Sequence, residues 1–176
     1  MADEIERKFL VNDKIYNYLY VTNSIYYGGE YFITQGYING ENTIRIRICG
    51  DSERGYRDNC PEAYFTLKGN REGCTRKEYE YKIDYKDAEE ILKNVCGEII
   101  EKERHKFTLD GVHWEIDIFE KENRGLIIAE VELDSEDQEL FLPDFIEKEV
   151  TQDDRYYNYN LSKTPYKEWK CEGHRI

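Results

Sequence analysis

The sequence predicts an α+β, mainly-β fold: an antiparallel sheet of eight strands, enough to close into a barrel, with a few helices covering its apolar side. Two observations carry that reading. Period-two alternation recurs in eight segments, seven of which put charge on one parity and bulky apolar residues on the other. Helical periodicity, by contrast, is confined to three short stretches.

Residues 4–11 set Glu4, Glu6 and Lys8 on one face and Ile5, Phe9 and Val11 on the other. A helix over 12–20 follows, opened by an Asn/Asp cap and placing Ile15, Tyr18 and Leu19 together. Residues 31–38 alternate without charge and offer Gln35 and Tyr37 instead. Next come Arg45 and Arg47 between Ile44, Ile46 and Ile48, and a breaker-rich loop at 51–61. Lys68 then shares its parity with Tyr64 and Thr66, opposite Phe65 and Leu67. Arg76, Glu78, Glu80 and Lys82 lie opposite Tyr79, Tyr81 and Ile83. A helix over 87–96 aligns Ala88, Ile91, Leu92 and Val95, with Gly97 as its stop signal. Arg104 and Lys106 have the parity opposite His105, Phe107 and Leu109, and Glu115 and Asp117 stand between Trp114, Ile116 and Ile118. Glu130 and Glu132 interrupt the apolar run that holds Ala129, Val131 and Leu133. Ser135 and Gln138 have the spacing of a capping box, which predicts a third helix reaching Leu140 and Phe141 and split by Pro143.

The charged parities carry eight acids and eight bases. The chain as a whole has 38 acids against 25 bases, so the remaining 30 and 17 account for the net charge of −13. A solvated face drawn from so acidic a chain should itself be acidic. An equal mixture is expected where acids and bases face one another in an enclosed space, because unpaired charge is costly there. Alternation alone leaves an enclosed polar lumen and a polar outer face both open.

At 176 residues the chain is read as one domain, 1–176, with no apolar run long enough to cross a membrane. Charge from Asp3 onward speaks against a signal peptide, and a cytoplasmic location is expected. Five cysteines without a C-x-x-C pair suggest neither a disulfide framework nor structural zinc. The acidic surface disfavours nucleic acid and anionic membrane as partners, while a small polyanion in a local basic pocket stays allowed. His105, His113 and His174 are scattered, and none is expected to act as a ligand or base.

The opening E-x-E-x-K resembles the start of the CYTH superfamily of triphosphate tunnel metalloenzymes. The succession Glu4/Glu6/Lys8, Arg45/Arg47, Lys68, Arg76/Glu78/Glu80, Arg104/Lys106, Glu115/Asp117 and Glu130/Glu132 is similar to that family's order of tunnel strands. The tail from Glu149 through Arg155 to Leu161 resembles the end of its small bacterial members. The resemblance implies a closed eight-stranded tunnel with a charged lumen and a metal-dependent triphosphatase activity. A triphosphate carries four or more negative charges, so guanidinium and ammonium groups must surround it. By resemblance Lys8, Arg45, Arg47, Lys68, Arg76, Arg104 and Lys106 form that cradle, with Arg155 at the tunnel mouth. Glu4, Glu6, Glu130 and Glu132 are implied to hold Mg²⁺ or Mn²⁺, hard ions that prefer oxygen ligands. Glu78 and Glu80 join this shell or pair with neighbouring arginines. Glu115, Asp117 and Lys82 are read equally as part of the site or as ion pairs of its wall.

The family's substrates include tripolyphosphate, nucleoside triphosphates and thiamine triphosphate. A ring would want an aromatic partner in the lumen, yet Trp114 has the outward parity and Trp169 lies in a tail segment, 164–170, that either plugs one end or docks on the surface. Tyr37, Tyr64 and Phe119 alone have inward positions. The expected activity is therefore cleavage of the terminal phosphate of inorganic tripolyphosphate, with nucleoside triphosphates as secondary substrates and a monomer or homodimer as the working form. A class IV-type adenylate cyclase and a non-catalytic polyphosphate-binding module are the alternatives.

Overall fold

The structure, a computed structural model, describes residues 5–20, 26–38, 43–51, 61–72, 75–133, 135 and 138–169. Its elements are β1 (Ile5–Val11), α1 (Ile15–Tyr20), β2 (Tyr26–Ile38), β3 (Thr43–Asp51), β4 (Glu62–Glu72), β5 (Thr75–Ile83), α2 (Tyr85–Asn94), β6 (Ile99–Leu109), β7 (Val112–Phe119), β8 (Ile127–Leu133), β9 (Ile146–Glu149), α3 (Asn158–Lys163) and α4 (Tyr166–Trp169). All nine strands form one antiparallel sheet in the order β5-β4-β3-β2-β6-β7-β8-β1-β9. The eight expected strands are present and β9 is added, paired with β1 on the side away from β8. Among the described residues the ladder does not run from β5 to β9, so hydrogen bonding leaves the sheet open rather than closed as expected.

Register explains why one face of this sheet is charged. Lys8 lies opposite Glu130, Glu130 opposite Glu115, Lys106 opposite Glu115, and Arg104 opposite Asp117. Cross-strand neighbours share a face, so the charged parities of separate strands coincide. The other face is apolar and holds two clusters. In one, Phe9, Phe107, Trp114, Ile116, Ala129 and Val131 pack with Phe145 and with Ile15 of α1. In the other, Ile46, Ile48 and Ala63 receive Ala88 and Leu92 of α2. The expected partners Tyr18, Leu19 and Ile91 are half-buried against these clusters. A third cluster lies on the charged face at one end, where Ile100, Phe119 and Ile128 meet Leu126 and Leu161 of α3.

The sheet is strongly curved about its charged face. Tyr37 on β2 lies within electrostatic reach of Lys8 on β1 and Glu130 on β8. In a flat sheet of the observed order, β1 stands four strands from β2, or about 19 Å at the usual spacing. Curvature also explains how charged residues are buried here: Lys8, Gln35, Arg45, Thr66, Lys102, Arg104, Asp117 and Glu130 are all shielded from solvent. The charged face is therefore largely buried rather than an ordinary solvated face.

Three local expectations need correction. No helix forms over 138–143; Gln138 N donates to Ser135 O, and Leu140 packs on the first cluster. Pro143 lacks the amide a helix would use, and its carbonyl instead accepts from Ile146 N to start β9. Val95 is 55% exposed rather than core-facing, because α2 ends at Asn94, and Gly97 does not adopt a left-handed stop. α2 starts at Tyr85 rather than 87, where Asp84 caps it by accepting from Lys86 N. The breaker-rich loop lies mostly outside the described residues, which resume at Pro61.

Gly36 lets β2 approach α2 closely. A Cβ there would sit 2.8 Å from both Cys96 Cβ and Ile99 Cδ1, and 3.0 Å from Leu92 Cδ2. Gly36→Ala is expected to destabilise the fold by about 1–3 kcal/mol in urea unfolding, whereas Gly97→Ala, with nothing within 4 Å, should stay within about 0.5 kcal/mol of the parent.

Candidate active site

The charged face divides into two halves. The first, on β6, β7, β8 and β1, is built around Arg104. Its Nε donates to Asp117 Oδ1 at 2.6 Å, and its Nη2 donates to Asp117 Oδ2 at 2.7 Å and Glu130 Oε2 at 2.6 Å. Nη1 is paired with Glu115, which also takes Lys106 at 2.6 Å. Lys8 joins Glu130 to Glu6, the latter at 3.0 Å, and Lys102 is paired with Asp117. Four bases and four acids thus form one connected network.

Burial would raise the carboxyls of Asp117 and Glu130, but adjacent cations outweigh it. Arg104 and Lys102 hold Asp117 low, and Lys8 and Arg104 hold Glu130 well below the usual carboxylate range. Glu6 moves the other way, since burial and the neighbouring Glu130 raise it against the pull of Lys8. Burial and the adjoining Arg104 bring Lys102 down to about 8. One aspartate therefore serves two cations, and Arg104, with its bidentate contact, takes the larger share.

The second half, on β2 to β5, has fewer acids. Arg45 Nη2 donates to Thr66 Oγ1 at 3.1 Å and to Glu80 at 3.0 Å, while Thr66 donates to the same Glu80 oxygen at 2.8 Å. The Nε of Arg45 is buried without a hydrogen-bond partner among the described residues. Arg47 Nε donates to Gln35 Oε1 at 3.3 Å, and Gln35 Nε2 in turn donates to the Tyr37 hydroxyl at 2.9 Å. Burial lowers the Arg47 pKa, and the like charges of Arg45 and Arg104 lower it further. Two enclosed guanidiniums next to each other, one with an unused buried donor, form a receptor for an anion.

The structure brings Glu6, Lys8, Arg104, Lys106 and Glu130 into the first half and Arg45, Arg47 and Glu80 into the second. Glu132, exposed, lies directly across from Glu6. Glu78 is half-buried opposite Lys68 on the charged face. Lys68 and Arg76 have backbone positions on β4 and β5, but their side chains lie outside the description, as does all of Glu4. Arg155 is not brought to either half: it is exposed, bridged to Asp153 at 2.6 Å and stacked 5.2 Å from the Trp169 ring. Lys82 pairs at the surface with Glu62. Tyr37 and Phe119 do occupy the charged face, but as parts of its closed end; Tyr37 packs edge-on against Tyr159 of α3, and Phe119 packs against Leu161. Trp169 supports that end through Tyr156 and Tyr166.

Lys102 is the residue that sequence reasoning missed. It stands two before Arg104, on the same parity, and that spacing was the available signal. Asp117, read equally as site or wall, proves to be fully buried at the centre of the network.

A hard cation fits this chemistry. Glu6 faces Glu132 and Glu115 faces Glu130 directly across the sheet, like-charged pairs that oppose pairing unless a cation intervenes. Lys8, Arg104 and Lys106 neutralise Glu115 and Glu130, which leaves the oxygens of Glu6 and Glu132 as the better donors for a divalent ion.

The CYTH domain family matches residues 2–165. An inorganic triphosphatase of Acetivibrio thermocellus is 41% identical over 173 residues, covering 97% of this chain and 99% of that protein. An inorganic triphosphatase of Nitrosomonas europaea is 33% identical over 166 residues, covering 90% of this chain and 96% of its own length. The crystal structure of an inorganic triphosphatase aligns with a TM-score of 0.64 at 31% identity, covering 92% of this chain and 95% of that one.

Removing Asp117 leaves two buried cations unbalanced, whereas removing Lys102 leaves Asp117 still bound by Arg104. Asp117→Asn is expected to cost about 3–5 kcal/mol in urea unfolding, and Lys102→Met clearly less. Because Asp117 and Glu130 are held below their unfolded values, their contribution is complete above about pH 4–5 and is lost as pH falls through the lowered values. The acid-side slope of thermal stability should therefore flatten in Asp117→Asn.

Proposed function

This chain belongs to the CYTH domain family, and from that membership we propose that it is a phosphoanhydride hydrolase that cleaves the terminal phosphate of inorganic triphosphate. The observation that carries this reading is the Arg45–Arg47 pair, an enclosed excess of positive charge opposite a face rich in carboxylates. The inorganic triphosphatases it resembles support the substrate.

The charged face becomes the lumen of a tunnel spanning a single domain, and the curvature that brings Tyr37 towards Lys8 supports closure. Arg45 and Arg47 bind phosphate oxygens through forked N–H donors, assisted by Lys68, Arg76 and Lys106. Lys8 and Arg104 keep Glu130 ionised and fixed in place. Glu6 and Glu132, with Glu4 and Glu130, hold Mg²⁺ or Mn²⁺, which when bound supplies neutralisation of the phosphate charge. A water oxygen forms the new bond to the terminal phosphorus as the phosphoanhydride bond in line with it breaks, giving orthophosphate and pyrophosphate. The apolar end formed by Ile100, Phe119, Ile128 and Leu161 keeps substrate entry to the opposite end.

Purified protein with Mg²⁺ or Mn²⁺ should release phosphate from tripolyphosphate faster than from ATP or thiamine triphosphate, and chelator should abolish release. Arg47→Ala and Glu132→Ala should each lower kcat/KM by about 10²–10³-fold. No release from tripolyphosphate, with cyclic AMP formed from ATP, would overturn the proposal.

A further inference from the structure

The apolar face of the sheet carries a group of polar side chains that the hydrolase chemistry does not use. Glu30 on β2 lies directly opposite His105 on β6, and Glu103 lies two residues before His105 on the same strand. All three side chains therefore share the face opposite Arg104 and Lys106. A bulge between Tyr27 and Gly29, with Gly29 at φ 123°, sets the register that brings Glu30 to this position.

The three side chains converge. His105 Nε2 is 3.2 Å from Glu103 Oε1, and His105 Nδ1 is 3.9 Å from Glu30 Oε2. One ligand atom from each residue lies within 4.8 Å of the others, the single such grouping among the described residues. The imidazole is fully buried, while Glu30 and Glu103 are 28% and 29% exposed and so leave a route from solvent. The two carboxylates also lie close to each other. Two carboxylates in contact need a proton or a cation between them, and beside a buried imidazole a cation would satisfy all three groups at once.

We propose that Glu30, Glu103 and His105 form a second divalent-cation site, outside the charged face, selective for a transition ion of the Zn²⁺ class. Mixed imidazole and carboxylate donors favour Zn²⁺ or Co²⁺ over Mg²⁺, whose preference is for oxygen and water. Ligands at i and i+2 of one strand and at the facing position of its neighbour supply three protein donors, leaving further positions to water. Because Glu103 approaches Nε2 and Glu30 approaches Nδ1, bond lengths near 2.1 Å require the carboxylates to swing toward one ring nitrogen, closing the gap by up to about an ångström. Tyr20, the last residue of α1, packs edge-on against His105 at 6.2 Å, so an ion here would tie α1 to the β2–β6 pair and stabilise the fold rather than enter the chemistry.

Co²⁺ and Zn²⁺ titrations test this in the full chain carrying Glu6→Gln and Glu132→Gln, so that the proposed hydrolytic ion site cannot compete, with excess Mg²⁺ present. The expected result is one ion per chain by calorimetry, visible Co²⁺ absorption bands and a rise in thermal midpoint. Glu103→Gln and Glu30→Gln, each added to this background, should weaken binding by more than about tenfold while leaving the midpoint without metal largely intact. The same two changes in the parent chain should leave triphosphatase turnover unchanged. Absence of binding up to millimolar Zn²⁺, or binding unaffected by both substitutions, would overturn the proposal and leave the carboxylates sharing only a proton.

Discussion

Enclosed charge must be balanced locally, and that constraint organises the rest of this molecule. Arg104 meets it by contacting Asp117, Glu115 and Glu130 on two neighbouring strands, so β6, β7 and β8 can pair only in registers that bring those residues level. Shifting β7 by one residue would turn Asp117 and Glu115 to the apolar face and leave Arg104 and Lys102 enclosed without counter-ions. The polar face thus specifies register as strongly as the Phe9–Trp114–Phe145 cluster on the opposite side.

Balance is not uniform over the face, and its unevenness bears on function. Around Arg104 four acids meet four bases. Around Arg45 and Arg47 only Glu80 is paired with a guanidinium among the described residues, and Arg47 relies on the neutral amide of Gln35. A polyanion is most stable against the second half, and cations against the exposed carboxylates of the first. A substrate lying across both would meet its positive and negative requirements on one curved surface.

Most of the sheet was legible in the sequence because side-chain parity is a local property. Each strand's charged residues fall on one face whatever its partner, so Glu6, Lys8, Arg45, Arg47, Arg104, Glu115 and Glu130 could each be assigned to a charged parity before any pairing was known, and it was the family resemblance that brought those faces together. Long-range features were less visible. Burial of Lys102 depends on Asp117 lying on the next strand, and β9 forms because the chain beyond Pro143 finds the free edge of β1. The missing third helix has the same cause. Its capping spacing was real, but Leu140 gains more by packing on the first cluster than a short helix ending at a proline could recover.

The end cluster shows how these two kinds of information combine. Ile100, Phe119 and Ile128 have the parity of the charged face, yet they carry no charge, and on their antiparallel strands all three lie toward the same end of the sheet. Alternation alone would mark them as exceptions. Their apolar surface becomes useful only when α3, from the far end of the chain, lays Leu161 and Tyr159 across it. Closing that end with hydrocarbon costs no ion pairing and excludes water from Lys102, which helps to hold its pKa near 8. A phosphate chain arriving from the other end would therefore meet the exposed charges first, Lys106 and Glu132 among them, and the buried network around Asp117 last. That gradient from solvated to enclosed charge is the order in which a substrate could shed its own hydration while gaining fixed partners.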